Sequence, residues 1–311
     1  MAVMIATRRP LLGGVGYIVL AAFALALGDG LIKIVGAHLS VWQLVFLRSL
    51  IALPVLVLLI APKRAVDILP KRWSWVALRS LLLMAMWLAV YIALTGLPMP
   101  TVSAALYTAP LWIVLASALV PGRRLARAQI GAVGLGFVGT LLLLGPGMSG
   151  TWQLLALPLA GALCYALAAW ITATRCEAES PLVLSLGLNT AFLLAGIAGL
   201  TVFSLWPAHA AGASAEFVLA AWRPVAAADW PRMGSIVAGL AALMIVANTA
   251  MARAYQIGPA PVVAAGDYSY LAFSGLWSLL LFGTPPSFTG VLGIALIVAG
   301  GLWAARSPVH G

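Results

Sequence analysis

Apolar residues run in windows of about 20, the length that crosses a hydrocarbon core about 30 Å thick. These windows fall at 13–35, 41–60, 75–95, 101–119 and 128–145, and again at 152–174, 183–205, 233–254, 261–281 and 288–305. Basic residues collect in the short gaps between them. The pattern predicts an all-α polytopic membrane protein of ten transmembrane helices, arranged as five and five.

The two sets also share wording. Leu97-Pro98-Met99-Pro100-Thr101-Val102-Ser103-Ala104-Ala105-Leu106-Tyr107 returns as Gly258-Pro259-Ala260-Pro261-Val262-Val263-Ala264-Ala265-Gly266-Asp267-Tyr268, at an offset of 161. Pro98 falls on Pro259, Pro100 on Pro261, Tyr107 on Tyr268 and Gly122 on Gly283. An internal duplication in so apolar a chain points to a transporter with its site between the copies. The repeats are assigned to 1–147 and 148–311, joined by Gly145-Pro146-Gly147-Met148-Ser149-Gly150. Five spans per copy make the second copy enter from the opposite face, so the repeats are inverted.

Charge then sets orientation. Of 17 Lys and Arg, thirteen fall on one side if the N-terminus is inside: Arg8, Arg9, Lys63, Arg64, Lys71, Arg72, Arg79, Arg123, Arg124, Arg127, Arg175, Arg253 and Arg306. Only Arg223 and Arg232 fall on the other. This bias predicts an inner-membrane protein with both termini cytoplasmic. Arg8-Arg9 before an apolar run resembles a secretory signal, but that run exceeds the usual signal core, so the first segment is expected to be retained. The one long gap, 206–232, is expected to carry a short interfacial helix over Ala213 to Trp222.

With 64% hydrophobic and 8% charged residues, a soluble domain is excluded. The basic balance is therefore read as topology rather than nucleic-acid binding. Cys164 and Cys176 lack metal-ligand spacing and are read as packing residues. His38, His209 and His310 lie in gaps or at the terminus, and no Ser-His or metal-ligand constellation falls at membrane depth. A lipid-modifying membrane enzyme is thus disfavoured, and no catalytic residue, metal or cofactor is implied. Gly134-x-Gly136-x-x-Gly139 lies inside an apolar span with no strand before it and is rejected as a dinucleotide fingerprint.

Ionisable groups inside spans cost about 2.5–3.5 kcal/mol each on insertion scales, so each needs a reason. Asp29 and Lys33 stand four residues apart on one helical face, either pairing with each other or serving substrate or proton. Arg48 needs a carboxylate or carbonyl partner from a neighbouring helix or a ligand. Asp267 occupies the position of Leu106 in the other copy, a charge added to one half only. Asp29 and Asp267 are the candidates for proton coupling. Asn248 and Asn189 are polar at mid-span, as interhelical glue or as substrate contacts. Trp87, Tyr91, Tyr107, Trp112, Tyr165, Trp170, Tyr268 and Tyr270 supply aromatic faces for a planar or cationic ligand. Pro110 lies mid-span and is expected to kink its helix as a hinge. Trp42, Trp73, Trp75, Trp152 and Trp303 sit near span ends, as in an interfacial belt. The glycine-rich fifth and tenth spans, with Gly131, Gly134, Gly136 and Gly139, then Gly290, Gly293, Gly300 and Gly301, suit close helix contact.

The whole chain resembles the EamA-type transporters of the drug/metabolite transporter superfamily. The resemblance is carried by Ala104-Ala105-Leu106-Tyr107-Thr108-Ala109-Pro110-Leu111-Trp112, Gln129-Ile130-Gly131-Ala132-Val133-Gly134, Gly290-Val291-Leu292-Gly293 and Gln43-Leu44-Val45-Phe46-Leu47-Arg48. Where that family usually carries a loop glutamate, this chain reads Pro121-Gly122-Arg123-Arg124 and Phe282-Gly283-Thr284-Pro285. The resemblance implies a central cavity between spans one to four and six to nine, with spans five and ten peripheral or at a dimer contact. It implies movement of a small organic metabolite, such as export of an amino acid or related compound. Uptake or facilitated exchange of a vitamin-like or cationic metabolite is the alternative, and a scaffold or receptor is a third class. The expected partners are that small molecule, the bilayer and, in a coupled mechanism, protons. The chain is expected to act as a monomer or homodimer.

Overall fold

The structure, a computed structural model, describes residues 2–61, 69–93, 97, 99–118, 127–144, 152–206, 213–283 and 287–306. Lys63, Arg64, Arg123, Arg124, the 145–150 linker, His209 and His310 lie outside the described residues.

The chain folds into α1 (Ala2–Val35), α2 (Val41–Ile60), α3 (Trp73–Ala93), α4 (Met99–Leu106), α5 (Ala109–Ala118), α6 (Arg127–Leu144) and α7 (Trp152–Thr174). It continues with α8 (Pro181–Leu205), α9 (Ala213–Leu219), α10 (Trp230–Ile257), α11 (Ala260–Asp267), α12 (Ser269–Phe282) and α13 (Phe288–Arg306). Among the described residues, six helices are long and apolar enough to cross a membrane: Gly13–Val35, Val41–Ile60, Trp73–Ala93, Leu154–Thr174, Pro181–Leu205 and Ala227–Ile257. Arg127–Leu142 and Phe288–Gly300 are shorter apolar helices. No strand occurs among the described residues. This is a multi-pass, all-helical membrane protein.

Local chemistry marks the helix ends. Ser40 and Gln43 form a capping box at the start of α2, each side chain satisfying the other's backbone N–H. Pro181 stands at the first position of α8, where no intrahelical donor is needed. Gly283 closes α12 in the left-handed region, with φ 65°, which favours glycine.

Several helix contacts come in exchanged pairs. α1 packs on α10 as α7 packs on α3. α1 packs on α11 and α12 as α7 packs on α4 and α5, and α3 on α8 as α10 on α2. Exchanging α1 with α7, α2 with α8 and α3 with α10 carries these contacts into one another. The α2–α8 and α6–α13 contacts map onto themselves.

The α6–α13 contact uses the glycines singled out in the sequence. A Cβ on Gly139 would stand 2.6 Å from the Gly293 carbonyl, and one on Gly300 would stand 2.8 Å from that of Ala132. Small residues let backbones approach where apolar burial alone drives no association. Gly139→Leu is therefore expected to part these helices and lower the melting temperature in detergent by several degrees, since overpacking costs about 1–3 kcal/mol. An unchanged melting curve would show that the contact contributes little.

One expectation is corrected. Windows four and nine are not continuous helices: the first breaks at Tyr107–Thr108 between α4 and α5, the second at Tyr268 between α11 and α12. In the first break the Thr108 hydroxyl bonds back to the Ala105 carbonyl at 2.7 Å, competing with the helical ladder. Pro110 then starts α5 rather than kinking a helix from within. The position matching Pro110 in the second copy is Leu271, so that break forms without proline. The expected short helix in the long gap forms as α9, ending at Leu219; its Val218 is 3% exposed and Phe217 packs edge-on against Tyr91 at 6.2 Å.

Candidate functional site

The two helix breaks lie together. The Tyr268 hydroxyl donates to the Tyr107 carbonyl at 3.2 Å, so one break supplies the donor that the other needs. Satisfaction of freed backbone groups by neighbours is what permits irregular backbone at membrane depth. Tyr268 is fully buried and lies against α6, where a Cβ on Gly136 would sit 2.4 Å from its ring. Glycine at 136 is thus required by the break rather than by any cofactor. The Tyr107 ring lies 6.1 Å from that of Tyr268 and stacks on Tyr270 at 5.5 Å, with 25° between planes.

Two carboxylates flank this tyrosine stack. Tyr270 on α12 donates its hydroxyl to Asp29 on α1, a bond between the first and second sets of helices. Tyr165 on α7 donates to Asp267, the last residue of α11, at 2.7 Å. Asp267 is 7% exposed and Tyr165 8%. Behind them Tyr165 meets Tyr255 edge-on at 6.5 Å and lies 3.7 Å from the Met251 sulfur. Each carboxylate therefore keeps a neutral donor as its partner rather than a cation.

Asp29 and Lys33 do not pair with each other. Lys33 is exposed, with its ammonium 4.4 Å from the centre of the Phe282 ring. Arg48 is 3% exposed; its guanidinium lies 4.8 Å over the Phe192 ring of α8, in electrostatic contact with Tyr91 and Asp29. Its Nε has no hydrogen-bond partner. A buried, under-satisfied guanidinium is costly unless a further acceptor reaches it. Trp87 and Tyr91 stack on α3 at 5.7 Å, and Asn248 is buried on α10. Asn189 donates to the Ser185 carbonyl at 2.9 Å, while its Oδ1 is unpartnered. Trp112 does not join these groups: it is 40% exposed on the surface of α5.

The charge pattern puts Arg79 among the loop cations, but the structure places it inside α3, 2% exposed. Its Nε donates to Thr172 Oγ1 at 2.7 Å and its Nη1 to the Leu184 carbonyl at 3.4 Å. With Tyr165, Thr172, Met251 and Tyr255 it lines a cavity of about 10 Å³, room for a single water. Its place beside the loop before α3 conceals it in the sequence. The signal that could have found it is helical phase, since Val76, Arg79, Ser80 and Leu83 form one buried stripe.

Discontinuous helices at matching positions, with ionisable groups gathered around them, are how many membrane carriers build a site. The sequence of residues 12–145 matches the model of the EamA-like transporter family. Residues 12–145 are an EamA-like transporter domain. The chain is also 27% identical over 239 residues to a riboflavin transporter of Rhizobium johnstonii, a match covering 76% of this chain and 72% of that protein. A solved crystal structure aligns with a TM-score of 0.74 at 20% identity, over 95% of this chain and 96% of its own, which shows a shared fold. The EamA match and the transporter relative point to transport of small metabolites rather than to enzymatic chemistry.

Proposed function

We propose that this EamA-like protein is a secondary carrier that moves a planar, hydrogen-bonding metabolite of the vitamin type by alternating access. The observation that carries this reading is the stacked Tyr107–Tyr270 pair set between Asp29 and Asp267 at the two helix breaks. Aromatic faces suit a planar ring, and the carboxylates accept hydrogen bonds from ring N–H or hydroxyl groups. The riboflavin transporter relative supports the same class, because riboflavin combines a planar ring system with a hydroxylated chain. In this reading the repeats 1–147 and 148–311 are inverted, both termini are cytoplasmic, and the halves rock around the tyrosine cluster with Pro110 beside the first break as a hinge.

A second reading, export of an amino acid or related compound, is favoured by Arg48. Its unpartnered Nε suits a substrate carboxylate, while Asp29 would hold the ammonium group.

The deciding experiment is flux of radiolabelled riboflavin and of a panel of amino acids in proteoliposomes, with and without an imposed pH gradient, against empty liposomes. Saturable riboflavin flux supports the first reading and amino-acid flux the second; no flux of either defeats both. In the first case Tyr107→Ala is expected to raise the KM for riboflavin about two- to tenfold, given roughly 0.5–1.5 kcal/mol for an aromatic pair beyond its buried area. An unchanged KM would remove the stack from the site.

A further inference from the structure

Besides the bonds around the tyrosine stack and Arg79, two further clusters of hydrogen bonds among the described residues tie the first set of helices to the second, one at each end of α2. At the α1–α2 end, Gln43 is fully buried and grips the backbone of Arg223: its Oε1 accepts from the Arg223 N–H at 2.8 Å and its Nε2 donates to the Arg223 carbonyl at 2.8 Å. Ser40 Oγ donates to the Ala221 carbonyl, and Trp42 Nε1 to the Val218 carbonyl at 2.6 Å. Arg223 returns a bond from Nη1 to the Gly36 carbonyl at 3.3 Å.

At the other end, Glu179 is 6% exposed in the α7–α8 loop. Its carboxylate accepts from the backbone N–H groups of Arg72 at 2.7 Å and Lys71 at 3.1 Å, just ahead of α3. It satisfies donors at a helix start, where the dipole favours negative charge. Gln256 at the end of α10 holds the same loop, donating to the carbonyls of Cys176 and Glu179 at 2.7 and 2.8 Å. Twenty residues of α2 separate the two clusters by about 30 Å.

Their topology is the telling feature. The exchange of helices that relates the packing contacts maps the α1–α2 loop onto the α7–α8 loop. It also maps the segment between α8 and α10 onto the segment between α2 and α3. The two clusters are one latch used twice, with different chemistry at each end: neutral amide, hydroxyl and indole around Gln43, and a carboxylate on backbone amides at Glu179.

We propose that Gln43 and Glu179 are positioning residues that set the balance of access, the Gln43 latch closing the outer face and the Glu179 latch closing the inner one. Both latches are made here, so the structure is the state closed at both ends. Opening to either side breaks one latch and keeps the other. Weakening one must therefore shift the population toward its own face and away from the opposite face. The Glu179 bonds are charge-assisted and hold that face the more firmly.

Cys176 gives a direct readout. It is a free thiol, fully buried within the inner latch. A cleft of about 360 Å³ lined by Lys71, Glu179, Pro181 and Arg253 reaches the same loop from the surface. The test is the rate of Cys176 alkylation by a membrane-impermeant maleimide in inside-out vesicles, in the full chain carrying Cys164→Ser, with Cys176→Ser as the blank. Glu179→Gln is expected to raise the rate about tenfold, as loss of hydrogen bonds to a charged group implies. Gln43→Leu is expected to lower it several-fold. The milder variants Glu179→Asp and Ser40→Ala must shift it in the same opposite directions. A rise in all of them would mean only that each loosens the fold, and that result, like no change in any, overturns the proposal. The inference rests on the alternating-access reading but needs no substrate. Opposite shifts together with no riboflavin flux would defeat the substrate assignment alone.

Discussion

Asp267→Asn is expected to fold, to keep the Tyr165 hydrogen bond and to lose any pH-gradient-driven accumulation. The amide has nearly the same shape as the carboxylate, and with its single oxygen turned to the place of Asp267 Oδ2 it still accepts from the Tyr165 hydroxyl, which sits 2.7 Å from that oxygen. What disappears is the ability to bind and release a proton or to carry negative charge at the second helix break. If transport is proton-coupled with Asp267 as its site, accumulation falls to the level of simple equilibration, a loss of at least tenfold, while exchange of substrate persists. Tyr165→Phe separates orientation from charge: it keeps the carboxylate but removes its donor, and should slow flux without abolishing gradient dependence. Measuring both variants with and without the gradient in proteoliposomes checks this. Undiminished accumulation in Asp267→Asn would leave Asp29 as the coupling candidate, and accumulation lost only in Asp29→Asn would confirm that transfer of role.

Arg48→Ala carries the second large effect. The guanidinium is almost fully buried over Phe192, with Asp29 and Tyr91 in its field and Nε unpartnered. Removing it takes away a cation that interacts electrostatically with Asp29. For a carboxylate-bearing substrate the expectation is a KM at least tenfold higher, with Arg48→Lys only partly rescuing because an ammonium lacks the planar fork. For an uncharged planar substrate such as riboflavin, KM should change far less and the effect should fall on turnover. The split between KM and maximal rate therefore distinguishes the two substrate readings. Equal flux in wild type and Arg48→Ala would give the arginine a packing role alone.

Much of this site is legible in the amino-acid sequence. Asp29, Arg48 and Asp267 stand out because charge in an apolar window is costly, and that reasoning needs no knowledge of neighbours. Tyr107 and Tyr268 are marked by the repeated phrase itself, and they meet. Partners are not legible. Spacing suggests Asp29 with Lys33, yet Lys33 turns to Phe282 while Tyr270, 241 residues away in sequence, reaches Asp29. Trp112 shares its apolar window with Tyr107, but its place on α5 puts it 40% exposed on the outside. Arg79, Gln43 and Glu179 do not stand out, because a residue near a predicted span end reads as a loop residue until a neighbouring helix is seen to cover it.

By itself the sequence determined that this chain lives in a membrane, that it is helical, and that one phrase was used twice. Those properties follow from local terms: the hydropathy of each 20-residue window, the cost of an isolated charge, and the identity of residues at a fixed offset. Only the tertiary structure decided that windows four and nine break, that the breaks satisfy each other through Tyr268, that each carboxylate is held by a tyrosine, and that the ends of α2 carry matched clusters of hydrogen bonds. The last three depend on hydrogen bonds between segments far apart in sequence, and a donor's distance from its acceptor is set by how helices pack rather than by anything a single helix contains.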